Sequence, residues 1–317
     1  MKSMSNVCRI CKNEINNENV RLKGAFYGTK GEFDYFICSK CGCLQISNLP
    51  EDIEKYYDSN QYYSFNMDRR SVKNKLLFMQ LKNQIDKKNL LGALVQYLYP
   101  VDYSAFKEVS KSDAILDIGC GQGELLKWLN MLGYTNLEGV EPFIDDDYED
   151  ENGIKIFKSE VCDFKPQHKY KLISFMHSLE HIYNVKEVLD AVSKWVDEDG
   201  KIAITIPFFS NYYWKKYGIF LHILDPPRHF YIHTKKSICL LMEEMGFELK
   251  YFDTEINPSI PWMARNNRMG KGEKNEGANF ALDSMISIFS RGLRGKLKKQ
   301  EDGAIATFVF SRKPSCK

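Results

Sequence analysis

Two pairs of cysteines at the start of the chain have the spacing of a metal site. Cys8-x2-Cys11 is followed, 26 residues later, by Cys38-x2-Cys41. Thiolates three residues apart reach one tetrahedral ion from a tight turn, and a second such turn closes the coordination shell. Four soft sulfurs select zinc, with iron the usual substitute. A four-sulfur shell keeps no open position, so this spacing predicts a structural Zn2+ rather than a catalytic one. Cys43 competes with Cys41 as a ligand, but the second knuckle fits better without it. Cys120, Cys162, Cys239 and Cys316 are scattered, and the odd total of nine cysteines argues against a disulfide framework.

A second constellation is glycine-based. Gly119, Gly121 and Gly123 follow the apolar run Ala114–Ile118 and precede a helical pattern, with Asp117 just before them. Such a bend lets backbone approach a ligand closely at a helix amino end, which carries partial positive charge. The third glycine comes two residues after the second, not three as in dinucleotide-binding loops, and no second large domain follows for a hydride acceptor.

These residues need a scaffold, and the pattern from residue 114 onward supplies one. Strands are predicted at 114–118, 137–141, 154–157, 171–177, 201–207, 247–253 and 304–312. Helical stripes fall at Leu125–Leu132, at Val185–Trp195 and from an N-cap at Thr234 to Gly246. Alternation of this kind implies a mainly parallel sheet with helices on both faces and ligands at the strand carboxyl ends. Ahead of it, residues 51–66 read as a Tyr- and Asp-rich arm, and 70–98 as a capping or connecting helix ended by Pro100.

After the fifth strand a helix is expected within about 2–6 residues. Instead Phe208–His233 intervenes, aromatic first (FFSNYYWKKYGIF), then DPPRHFYIH. Aromatic faces suit sugar rings or a sulfonium, and Arg228 suits a phosphate or carboxylate. Tyr213, Trp214 and Arg228 are therefore the candidate acceptor-binding residues, with His229 beside them. The acidic run Asp145–Glu151 reads as a solvated helix face, and Met269–Gly277 as a loop. Phe280, Met285, Ile286 and Phe289, followed by basic residues, read as a packed helix in preference to a membrane-surface element.

The 317 residues carry a formal net charge of +2, so no chain-wide basic field marks a dedicated nucleic-acid binder. Apolar stretches fall short of the roughly 18 residues a membrane span needs. The opening MKSMSNVCRICKNE lacks the apolar core of a secretory signal, and a cytoplasmic location is expected.

LDIGCGQGELL resembles the first motif of class I S-adenosylmethionine-dependent methyltransferases. The resemblance covers roughly residues 111–253 and the last strand. It implies a Rossmann-like α/β fold with a seven-stranded sheet, here preceded by a zinc-ribbon-like module (1–66) and a helical connector (67–110). The methyltransferase domain would span 111–317, with insertions at 208–233 and 254–303. It implies donor contacts from Asp117, Gly119, Cys120, Gly121 and Gly123. Glu141, followed by Pro142, would bind the ribose hydroxyls, and Asp163, with Cys162 beside it, would lie near the adenine amine. His177 would line the donor pocket, and His181, oriented by Glu180, is the first candidate base, with His229 as a further catalytic candidate. The Cys module, the YYDSNQYYSF arm and DPPRHFYIHT are similar to zinc-binding deoxysugar C-methyltransferases and to methyltransferases of bacterial surface-polysaccharide clusters. The implied acceptor is a nucleotide-linked sugar or glycan end. The chain lacks the large carboxyl-terminal domain of the deoxysugar enzymes, which leaves O- and N-methylation open. Another small metabolite, RNA, or a non-catalytic scaffold role are the competing readings, and the oligomeric state is not legible.

Overall fold

The computed structural model describes residues 6–24, 29–57, 72–86, 90–98, 101–257, 259–269 and 291–314. Its strands are β1 (Glu18–Lys23), β2 (Glu32–Ile37), β3 (Leu44–Ile46), β4 (Ile115–Ile118), β5 (Leu137–Val140) and β6 (Tyr148–Glu149). Further along lie β7 (Lys155–Phe157), β8 (Tyr170–Met176), β9 (Val196–Pro207), β10 (Tyr231–Ile232), β11 (Phe247–Glu255) and β12 (Ile305–Arg312). The chain clusters into two compact units. One comprises Met1–Asn66, Pro207–Leu241 and Asp253–Ala306; the other comprises Met67–Ile206, Met242–Phe252 and Thr307–Lys317. Both expected insertions thus group with the Cys module rather than with the sheet core.

An eight-stranded sheet in the order β11-β12-β9-β8-β4-β5-β7-β6 forms the larger framework. The pairs β4–β5, β4–β8, β5–β7 and β8–β9 are parallel, as the βα alternation requires. The eighth strand, beyond the seven expected, is the two-residue β6, antiparallel to β7 at the sheet edge. It arises inside the acidic run, which is therefore not a helix. Asp150 Oδ1 accepts the N–H groups of Asn152 and Ile154, each at 2.9 Å, and so stabilises a turn. Short carboxylates compete with helical bonding in this way.

β4 is buried along its length, and Ile115 packs with Leu126, Leu129, Leu137, Ile156 and Leu172 in one core. The single turn α3 (Ser104–Lys107) contributes Ala105 and Phe106 to this core, and the helix α4 (Glu124–Met131) contributes Leu126 and Leu129. Helix α5 (Val185–Trp195) buries Val185, Val188, Leu189, Val192 and Trp195, the stripe predicted from spacing.

The connector is two helices, α1 (Val72–Asp86) and α2 (Leu90–Leu98), not one. They pack closely where Gly92 meets α1, because a Cβ there would strike the Met79 carbonyl and lie 2.8 Å from Asn83 Cβ. Folding back also explains why Leu91 and Leu94 are 49% and 54% exposed while Leu81 and Val95 are buried. Pro100, residues 58–71, the stretch 270–290 and Cys316 lie outside the described residues, so neither the loop assigned to Met269–Gly277, beyond Met269 itself, nor the helix assigned around Phe280–Phe289 is described.

In the other unit, β1, β2, β3 and β10 form a four-stranded antiparallel sheet. Its last strand comes from the 208–233 insertion, about 185 residues after its neighbour in sequence.

Gly92→Ala tests the helix pair. In a solvated helix the change stabilises by about 1 kcal/mol through propensity. Against Met79 it should instead destabilise by about 1–2 kcal/mol through overpacking, read by chemical denaturation; a stabilised variant would contradict the packing.

Candidate functional site

The glycine bend is built from left-handed backbone. Gly119, Gly121 and Gly123 have φ of 72°, 55° and 72°, a region that side chains with a Cβ disfavour. Two of the three are also sterically filled. A Cβ on Gly119 would come within 2.5 Å of Ser178 Cβ, and one on Gly123 would strike Ile156. Gly121 differs: a Cβ there would meet nothing within 4 Å. The open side of the bend is therefore at Gly121.

Glu141, at the carboxyl end of β5, holds the bend in place. Its Oε2 accepts the Gly121 N–H at 2.9 Å and its Oε1 accepts the Phe143 N–H at 3.1 Å. Burial raises its pKa, opposed by those two backbone donors. Each oxygen keeps lone-pair capacity for a further donor. Pro142 is half-buried between these two contacts. Asp117, one residue before the end of β4, is 3% exposed and accepts a hydrogen bond from Ser174 Oγ at 2.7 Å. Burial pushes its carboxyl up to about 7; Ser174 opposes the rise and the Glu141 charge adds to it. Cys120 fills the space that a side chain at Gly139 would need, and burial raises its thiol pKa well above the usual range.

β8 ends in a second turn. His177 has φ of 58°, unusual for a residue with a Cβ, and its N–H donates to Thr205 O at 2.8 Å. Its imidazole is exposed, with Nδ1 3.6 Å from Glu180 Oε1. Leu179–His181 form a 3-10 turn in which Glu180 is 1% exposed and His181 half-buried. Helix α5 starts four residues after His181 with Asn184 at its N-cap position, so His181 is not its cap. Cys162 and Asp163 are exposed in the turn after β7, with Asn184 Nδ2 3.8 Å from Cys162 Sγ.

In the Cys unit, Cys8, Cys11, Cys38 and Cys41 place their Sγ atoms within 4.8 Å of one another. The Cys8–Cys41 and Cys11–Cys38 separations are 3.6 and 3.5 Å. A tetrahedron with metal–sulfur arms of ~2.3 Å has edges of ~3.8 Å. The set fits a zinc ion in size and chemistry. Each knuckle turns an N–H onto its own first sulfur, Cys11 to Cys8 and Cys41 to Cys38. Cys41, the Cys11 N–H and the Gln45 amide together lower the Cys8 pKa to about 4 against the effect of burial. Cys43 Sγ lies instead beside His233 Nδ1 at 3.7 Å, outside the cluster.

The insertion is more packed than the sequence suggests. Arg228 is 1% exposed and its guanidinium is held by both oxygens of Asp225, at 2.9 and 2.6 Å. The expectation that Arg228 pairs with an anionic acceptor group is corrected: its fork already holds a buried carboxylate. Tyr213, on α6 (Asn211–Tyr217), is 4% exposed and packs against Tyr212 and Tyr217, so it too is a packing residue rather than a free aromatic face. Trp214 remains partly accessible beside Phe209. His229 is buried, with Nδ1 2.8 Å from Ile223 O and Nε2 4.0 Å from Asp225 Oδ2.

Residues 86–251, just over half of the chain, match the family described as a methyltransferase domain. The chain belongs to this methyltransferase family. It is similar to (S)-tetrahydroprotoberberine N-methyltransferase of Eschscholzia californica, 21% identical over 180 residues, which are 53% of this chain and 49% of that one. It is also similar to the ubiquinone biosynthesis O-methyltransferase of Rickettsia bellii, 29% identical over 116 residues, 35% of this chain and 48% of that one. The chain spans about half the length of the curated relatives it matches. Among solved structures, geranyl diphosphate C-methyltransferase from Streptomyces coelicolor, in complex with Mg2+, geranyl diphosphate and S-adenosyl-L-homocysteine, aligns with a TM-score of 0.43 at 12% identity. That alignment covers 66% of this chain and 76% of the other.

Within the methyltransferase domain, sequence reasoning singled out the glycine bend, Asp117 and Glu141 but missed two serines that support them: Ser174 on β8, bonded to Asp117, and Ser178 in the turn after β8. Ser178 Oγ donates to Ile118 O, and its side chain is what forbids a Cβ at Gly119. A small residue at strand ends facing a glycine was the available signal. Among the described residues no helix is long and apolar enough to cross a membrane.

Asp117 generates a pH prediction. Its carboxyl has an ordinary pKa near 4 when unfolded and about 7 when folded. Between those values the folded donor-free protein holds a proton that the unfolded chain has released. This contribution to stability is complete below about pH 4 and is lost as pH rises through about 7, with a slope of at most ~1.4 kcal/mol per pH unit. Denaturant titrations of wild type and Asp117→Asn across pH 5 to 8 should show this decline in the wild type only. Parallel profiles would contradict it.

Proposed function

We propose that the chain transfers a methyl group from S-adenosylmethionine to a small-molecule acceptor. One observation carries the reading: the Glu141 carboxylate sits against the open glycine of the bend, where β4 and β5 end. Paired hydroxyls of a ribose suit an acceptor-only group that is already oriented by two backbone donors. When bound, the donor supplies an activated methyl group, so the chain chiefly holds the nucleophile in line and manages its proton.

In this reading Gly119, Cys120, Gly121 and Gly123 let backbone lie against the donor. Glu141 and Pro142 take its ribose side, Cys162 and Asp163 its adenine end, and His177 and Asp117 line the pocket. An ionised Asp117 suits an ammonium group, and a nearby cation would return its carboxyl toward the ordinary range. His181 is the proton acceptor and the buried Glu180 orients it; His229 is a further candidate. The four cysteines hold a structural zinc ion.

For the acceptor we favour a saccharide, nucleotide-linked or at a glycan end. Support comes from the resemblance of the Cys module and DPPRHFYIHT, and from the accessible Trp214 face. The relative named above as (S)-tetrahydroprotoberberine N-methyltransferase favours a second reading, a small amine.

Methyl transfer from labelled S-adenosylmethionine to panels of sugar nucleotides and small amines separates the two. Transfer to a sugar nucleotide supports the first reading; transfer to amines alone replaces it with the second. With any accepted substrate, His181→Ala should lower kcat by about 10²–10⁴-fold while calorimetric affinity for S-adenosylhomocysteine is retained. A fully active variant would remove His181 from the chemistry.

A further inference from the structure

The four-cysteine cluster and the segment that follows α6 are bonded to each other at both knuckles. Arg9 lies inside the first knuckle; its Nε donates to Tyr231 Oη at 2.9 Å and its guanidinium lies over the same ring. The Arg9 N–H is accepted by Gln45 Oε1 at 3.0 Å, and Gln45 Nε2 reaches Cys8 Sγ at 3.2 Å. At the second knuckle, Thr234 Oγ1 donates to Cys41 O and Lys236 Nζ to Lys40 O, both at 2.6 Å. Strand pairing joins the two knuckles' attachments: Tyr231 opposes Gln45, Ile232 opposes Leu44, and Ile46 N–H donates to Phe230 O at 2.9 Å.

β10 has two residues and its partner β3 has three. At the edge of a four-stranded sheet, a strand of two residues has few ladder bonds of its own and relies on the side-chain attachments around it. The sheet it completes belongs to a module whose folding energy metal binding would supply. The same segment carries, a few residues earlier, the buried Asp225–Arg228 pair and His229.

We propose that the metal cluster anchors Phe230–Ser237, so that zinc occupancy sets the order of this part of the insertion while donor binding by the sheet unit stays unchanged. This rests on the zinc reading above and adds a regulation to it: loss of metal would withdraw the acceptor-side segment without emptying the donor site. Thr234 is a positioning residue in this scheme. Its hydroxyl donates to Cys41 O and accepts the Ser237 N–H at 3.1 Å, capping α7 (Lys235–Glu244) from the knuckle.

Amide hydrogen exchange on the full chain tests this, comparing zinc-loaded with chelator-stripped protein, with elemental analysis of both. Peptides covering 230–237 should exchange at least about 10-fold faster after stripping. Peptides in β4 and β8 should be unchanged, and calorimetric affinity for S-adenosylhomocysteine should stay within about 2-fold of the loaded value. Unchanged protection at 230–237 while 8–43 loses protection would overturn the anchor. Loss of protection in β4 and β8 as well would overturn the separation of the two functions. Zinc absent from the purified chain and not taken up on reconstitution would instead defeat the metal reading itself. A second arm keeps the metal: Thr234→Val should retain zinc yet speed exchange at 230–237, and Thr234→Ser should restore protection. Wild-type protection in the zinc-loaded Thr234→Val protein would refute the second-knuckle attachment.

Discussion

A single carboxylate tethers the glycine bend of the sheet unit. Glu141 accepts the Gly121 N–H and thereby fixes a bend whose three glycines all occupy left-handed backbone. That bend exists because β4 and β5 are adjacent and parallel, bringing residue 141 beside residue 121. The packing around it is uneven in a useful way. Ser178 and Ile156 fill the space at Gly119 and Gly123, leaving Gly121 as the open position. Burial of Asp117 and Glu141 in the same region raises both carboxyl pKa values, a cost that polar or cationic groups of a ligand would offset.

The Cys unit follows a different logic. Its sheet is assembled from strands near the amino terminus and one strand nearly two hundred residues later, and both Cys knuckles bond to that later segment. Its edge strand has only two residues, and these cross-links add to the few ladder bonds that hold it. The insertion after β9 therefore contributes the fourth strand of the Cys unit's sheet rather than a free loop.

The parts of the structure legible beforehand were those written in local periodicity or fixed spacing. The strand before the glycine bend, the α5 stripe, the Thr234 cap and the two Cys knuckles all depend on residues within about a turn of one another. What was illegible depended on particular contacts, several of them local, that neither periodicity nor ligand spacing encodes. The acidic run became a turn and an edge strand because Asp150 bonds to its own backbone and β7 offers an edge. The connector divided because Gly92 admits Met79, a contact that periodicity does not encode. Arg228 resembled a binding residue by type, and only the left-handed turn at Asp225 shows that its partner sits three residues away. The glycine bend and the two Cys pairs were readable as sets, whereas the insertion after β9 was readable only as a region.

The most direct test is calorimetry of S-adenosylhomocysteine binding to Glu141→Ala beside the wild type. The account predicts a loss of about 1–3 kcal/mol, since ribose hydroxyls lose a charged acceptor and the bend loses its tether, with the sheet unit still folded by circular dichroism. Unchanged affinity in a folded variant would contradict it.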